Sequence, residues 1–168
     1  MKIWLTTDTH FFHKKMGEYC GRPDGFEELI FQGLQAIPEE DIMIHLGDVC
    51  IGRDGEAHER FIQPLLCKKI LVMGNHDRQK PTWYASHGFD EVFESVGVSL
   101  KDGRRVLLTH KPSAKLDNYS FNVHGHYHNK AHRKDEAESF YSEKHRNLSI
   151  EETNYKPVLL EDFINQTL

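Results

Sequence analysis

The chain has 168 residues, 26 of them acidic and 21 basic, with a net charge of −5. That length predicts a single domain over residues 1–168, able to bury roughly two-thirds of the surface its unfolded form would expose. The acidic balance excludes a strongly cationic nucleic-acid binder that holds phosphates by charge alone.

Lys2 to Thr7 (KIWLTT) is short and β-prone, and predicts a buried strand whose C-terminal end delivers Asp8, Thr9 and His10. From Asp24 to Ile37 the apolar residues Phe26, Leu29, Ile30, Leu34 and Ile37 follow helical spacing, with Asp24 as the cap and Pro38 beyond the end. Asp41 to Leu46 reads as a second strand ending in Gly47-Asp48. A helical stretch from Gly55 to about Leu66, kinked at Pro64, leads to a third strand at Lys69 to Met73, which ends in Gly74-Asn75-His76-Asp77. Three strand-then-polar-loop units separated by helices predict an α/β layered fold with its site at the strand ends.

After a short helix at Pro81 to His87, Glu91 to Leu100 and Arg104 to Thr109 flank an Asp102-Gly103 turn, a hairpin signal. Antiparallel strands are therefore expected in the second half. Phe121 to His124 and Asn147 to Ile150 are further short strands, and the mixed-charge segment Asn129 to Arg146 reads as an exposed loop or flap. Cys20, Cys50 and Cys67 are odd in number and form neither a CxxC pair nor a zinc-ribbon spacing, so a reducing, cytoplasmic compartment is expected. The N-terminal apolar run is too short for a signal peptide, and no stretch approaches the ~20 apolar residues of a membrane span.

Twelve histidines are unusual for this length. In chain order the polar loops are Asp8-Thr9-His10, Gly47-Asp48, Gly74-Asn75-His76-Asp77, Thr109-His110 and Gly125-His126-Tyr127-His128, each after an apolar run. Carboxylate, imidazole and amide oxygen together make a mixed N/O donor set, which suits manganese, iron, zinc or nickel better than calcium or magnesium. The absence of thiolates among them points away from a structural zinc site.

These motifs, DTH, GD, GNHD, TH and GHYH in that order, closely resemble those of the calcineurin-like metallophosphoesterases, from Asp8 to His128. The resemblance implies a sandwich of two mixed β-sheets flanked by helices. It implies that Asp8, His10 and His128 hold one divalent ion, that Asn75, His110 and His126 hold a second, and that Asp48 bridges them, with manganese the first expectation. His76 is then the catalytic side chain, as general acid or as a cation at the transition state, while metal-activated water attacks a phosphate mono- or diester. Protein phosphatases of this superfamily carry GDxxDRG, whereas Ile51 and Gly52 stand here where that motif has its second Asp and its Arg. A protein phosphatase is therefore not expected, and the acid that would orient His76 is missing.

The start of the chain, DTHFFHKK followed by CGRPD, is similar to small stand-alone phosphoesterases of bacteria and phages, which makes His13 and Arg22 candidates for holding substrate phosphate. The expected partner is a phosphate ester, including a nucleotide; a nuclease and a non-catalytic binding scaffold are the alternatives, and the oligomeric state is left open. Asp77 reads as a cap or turn residue and Tyr127 as part of the site mouth. His45 reads as a packed residue behind the ligands, and His58, His87, His132 and His145 as solvated or capping.

Overall fold

The computed structural model describes residues 1–129 and 140–166. Three parallel strands, β1 (Ile3–Thr6), β2 (Ile42–His45) and β3 (Lys68–Val72), sit side by side; β4 (Glu91–Phe93) extends them in parallel and β9 (Val158–Leu159) closes the other edge antiparallel. A second sheet has the order β5 (Ser95–Ser99), β6 (Arg105–Thr109), β7 (Phe121–His124) and β8 (His145–Asn147). The architecture is the expected α/β sandwich of two mixed sheets with helices against it. Among the described residues, no helix is long and apolar enough to cross a membrane.

Strands of the first sheet read as unbroken apolar runs because both of their faces are covered. Met43 and Leu71 point to one core, where α2 (Phe26–Gln35) contributes Ile30 and Leu34 beside Phe61 and Phe89. Leu5, Ile44, Ile70 and Val72 point the other way, into the seam between the sheets, and meet Val106, Leu108 and Val123. Alternation along each strand thus places the seam core directly beneath the strand ends that carry the polar loops.

Several expectations need correction. Helix α2 starts at Gly25, which is left-handed at φ 76°, and no side chain caps it; Asp24 does not serve. Leu29, assigned to its apolar face, is 45% exposed. Gly33 is required by proximity, since a Cβ there would press on the Tyr155 carbonyl at 3.1 Å. The helix foreseen around Gly55 to Leu66 is α3 (Asp54–Ala57) followed by a π-helical turn at His58–Ile62, closed by Gln63 N donating to His58 O at 2.9 Å. It ends before Pro64, which has no N–H to continue it.

The single strand foreseen over Glu91 to Leu100 is two strands in two sheets, with Glu94 as the crossing point. In the second sheet only β5 and β6 are antiparallel; β6, β7 and β8 run parallel, so the hairpin rule applied to one connection and not to the rest. The last foreseen strand lies two residues earlier than expected, at β8. Most of the mixed-charge segment, residues 130–139 with His132, lies outside the described residues.

Candidate metal centre

The loop after β1 does not leave the sheet at once. Asp8 N donates to Gly47 O at 2.9 Å, His10 N to Asp48 O at 3.1 Å and Phe11 N to Val49 O at 3.0 Å, so the loops after β1 and β2 run as a continued ladder. Within it Asp8, His10 and Asp48 have φ of 47°, 47° and 58°, and across the seam His126 and His128 have φ of 70° and 52°. The left-handed region costs a non-glycine residue roughly 1–2 kcal/mol. Five such residues in three short loops mark a place where geometry is held against local preference.

The two carboxylates are arranged alike. Asp8 Oδ2 accepts from Thr7 Oγ1 at 2.6 Å and from His126 N at 2.9 Å, while Asp8 Oδ1 is buried with no hydrogen-bond partner. That oxygen faces His10 Nε2 and His128 Nε2, each at 3.7 Å. Asp48 Oδ1 accepts from His76 N at 2.8 Å, and Asp48 Oδ2 faces His110 Nε2 at 3.4 Å, His10 Nε2 at 3.7 Å and His76 Nε2 at 4.0 Å. Asn75 Oδ1 lies 3.0 Å from His110 Nε2. Two groups with donor atoms within 4.8 Å of one another result, Asp8 with His10 and His128, and Asp48 with His110 and His126.

An unpartnered buried carboxylate oxygen is costly, and imidazole nitrogens converging on it call for a cation between them. Two of the rings, His110 and His128, titrate in the same sense, whereas burial and the neighbouring His110 push His126 down to about 4. Burial pushes the His110 imidazole down, yet the Asp48 carboxylate overrides it and carries it up to about 9. Burial opposes His128 too, but its buried partners, Glu151 among them, raise it to about 10. Without metal, the carboxylates recruit protons as the missing positive charge. The donor set therefore fits a divalent cation: Asp8, His10 and His128 form one candidate ligand group, Asp48, His110 and His126 another, and Asn75 Oδ1 lies beside the second.

Close approach explains the glycines of the motifs. A Cβ on Gly74 would collide with Asp48 Oδ1, and one on Gly125 with Thr7 Oγ1 and Asp8 Oδ2. His76 is 39% exposed at the mouth, edge-on to His10 at 5.5 Å between ring centroids. Among the described residues no side chain hydrogen-bonds its imidazole; its backbone bond to Asp48 holds it in place. Burial pushes its pKa down, against the pull of Asp48.

Arg22 is corrected. Its side chain is fully buried and bound to Asp8 O, Thr9 O and Glu151, so it is closed to a substrate. His13 is at the edge of the site, 5.7 Å from the His10 ring. Tyr127 is buried at 3% exposure, with its ring against those of His124 and His126. Asp77 does more than cap: its carboxylate accepts from Gly74 N at 2.7 Å, Asp48 N at 2.8 Å and Val49 N at 3.0 Å, clamping the loops after β2 and β3 together. His45 lies behind the ligands as expected, between Thr9 Oγ1 and Gly47 N. His58 is a core residue against Trp83, Tyr84 and Phe89, and His145 is buried beside Tyr141, so neither is a surface group; half-buried His87 stacks on Trp83 and, as expected, caps the helix Pro81–Ser86.

Sequence reasoning missed Glu151. It accepts from His128 Nδ1 at 3.1 Å, 23 residues further along, and no motif marks it. Cys20, His128 and Glu151 also cluster, with Glu151 Oε1 shared between His128 Nδ1 and Arg22 and Oε2 accepting from Ser149 Oγ.

Comparison with known proteins bears on the family and the fold. The family model described as calcineurin-like phosphoesterase matches residues 1–165. An uncharacterized protein of Methanocaldococcus jannaschii is 32% identical over 173 residues, covering 95% of this chain and 88% of its own. A crystal structure of a protein of unknown function from Aquifex aeolicus superposes with a TM-score of 0.75 at 28% identity, covering 96% of each chain.

Proposed function

Because this chain belongs to the calcineurin-like phosphoesterase family, we propose that it hydrolyses a phosphate ester with two divalent ions, manganese first among them. One ion falls to Asp8, His10 and His128, the other to Asn75, His110 and His126, and Asp48 lies between. The observation that carries this reading is the pair of half-used carboxylates, each with one oxygen on backbone N–H and the other facing imidazoles.

When bound, such ions supply Lewis-acid charge to a phosphoryl oxygen and lower the pKa of a water. The chain supplies the rest. Its rigid ladder fixes the ligands, so little reorganisation is needed as charge develops. His76, at the open side and 4.0 Å from Asp48, is placed to donate a hydrogen bond or proton to the leaving oxygen. His13, at the same rim, is placed to meet a non-reacting phosphate oxygen. The substrate we favour is a small or medium phosphate ester such as a nucleotide.

The test is hydrolysis of p-nitrophenyl phosphate and bis-p-nitrophenyl phosphate by metal-stripped protein, with manganese, nickel, zinc or magnesium restored. Turnover should require metal and be lost in Asp48→Asn. His76→Ala should keep metal uptake and lose about 10²- to 10⁴-fold in kcat. Folded protein that turns over neither ester nor single-stranded DNA or RNA with any of these metals would sink the reading.

A further inference from the structure

The ion pair of Arg22 and Glu151 is 0% and 4% exposed at its side chains. Burying two charges costs several kcal/mol in desolvation, and apolar residues of similar volume often serve stability as well or better. Something other than stability is therefore gained, and the hydrogen bonds say what. Arg22 spends its fork on three groups: Nη1 on Thr9 O at 2.8 Å, Nη2 on Asp8 O at 2.6 Å, and Nε and Nη2 on Glu151 Oε1 at 2.9 and 2.7 Å. The two carbonyls belong to the left-handed turn that carries Asp8 and His10. Glu151 in turn accepts from His128 Nδ1 at 3.1 Å, and Ser149 Oγ holds its second oxygen at 2.8 Å.

We propose that Arg22 and Glu151 form a positioning unit for one ion position only, that of Asp8, His10 and His128. The inference rests on the metal reading above. A carboxylate only accepts, so His128 Nδ1 carries a proton, and Nε2, 3.7 Å from Asp8 Oδ1, is the nitrogen that would turn its lone pair to an ion. One arginine thus couples two ligand loops that lie over a hundred residues apart in the chain and on different sheets. Neither residue is one of the three candidate ligands of that group. At the second group a different contact does this work: His110 Nδ1 pairs with the Leu46 carbonyl at 2.8 Å. A lysine at position 22 would offer a single charge to three acceptors that need a planar fork.

The test is titration of full-length, metal-stripped protein with Mn²⁺ alone, followed calorimetrically and by dye competition, with thermal unfolding measured in parallel. Wild type should take up two ions. Glu151→Gln should weaken one of the two steps by about 10- to 100-fold and leave the other unchanged, and Arg22→Lys should do the same. Ser149→Ala, a milder change that keeps both charges, should weaken that step less. Asn75→Ala should weaken the other step. Nitrogen chemical shifts of His128 should report an Nδ1 proton in wild type and its loss of preference in Glu151→Gln. Folded variants with both steps unchanged, or with both weakened alike, would overturn the positioning unit alone. Wild type that takes up no Mn²⁺ would overturn the metal reading and this inference with it.

Discussion

Asp77 offers the sharpest quantitative test of how the loops are held. Its two oxygens serve three buried amides, Oδ2 taking Asp48 N and Gly74 N and Oδ1 taking Val49 N. In Asp77→Asn the amide oxygen can keep the first two bonds only by setting its NH₂ group against the Val49 N–H, where the oxygen now stands at 3.0 Å. One bond to a charged acceptor is lost and a donor meets a donor. Such a bond is worth roughly 1.5–3 kcal/mol, and a kilocalorie moves Tm by about 2–4 °C in a domain this size, so a fall of roughly 3–12 °C is expected. Thermal unfolding by circular dichroism in EDTA measures this without any contribution from metal uptake. Repeating it in Mn²⁺ should show a smaller gain in Tm than wild type, because Asp48 and Asn75 have lost their common anchor. An unchanged Tm in EDTA would refute the clamp.

Gly125→Ala should lose Mn²⁺ uptake and fall in Tm, since the new methyl meets Thr7 Oγ1 and Asp8 Oδ2; normal uptake in calorimetry would contradict the packing. Mn²⁺ at a hundredfold excess over its Kd should stabilise wild type by about 2.7 kcal/mol per site, reversibly with EDTA, and Asp48→Asn should show little of this in the same melting assay. His58 is held neutral because burial pushes its pKa down, with the His87 carbonyl opposing. A histidine with a depressed folded pKa favours the fold above its unfolded value of about 6.5 and opposes it as pH falls below that, by about 1.4 kcal/mol per pH unit. His58→Phe should therefore gain on wild type as pH drops from 7 to 5, and parallel stability curves would refute the assignment.

The strands and the polar loops at their ends were legible because both signals are local: apolar runs of four to six residues, each followed by glycine and a potential ligand. The parallel pairing of β6 with β7 and β8 was not, since nothing in FNVH tells which neighbour it will find. Glu91 to Leu100 read as one strand for the same reason, as a period of two is unchanged when the chain steps from one sheet to the other at Glu94. The ligand-bearing motifs could be picked out from residue type and order, and the structure brings their side chains to one place. What lies behind them could not. Glu151 sits in a sequence with no pattern, Arg22 was read as a phosphate-holding candidate because nothing local shows that its guanidinium is spent on buried acceptors, and Asp77 gave no sign that its three partners would be backbone amides. Buried histidines such as His58 and His145 were misjudged because a polar residue's burial depends on contacts far away in the chain.

The seam between the sheets has a kinetic consequence. Asp8, His10, Asp48 and Asn75 follow strands of one sheet, whereas His110, His126 and His128 follow strands of the other. Contacts between them close only after long stretches of chain have been ordered, which places them late on the route to the native state. Ions held across that seam would therefore be absent from the rate-limiting encounter during folding and present at the start of unfolding. Loading the protein with metal should leave its refolding rate nearly unchanged and slow its unfolding by close to the full factor gained at equilibrium.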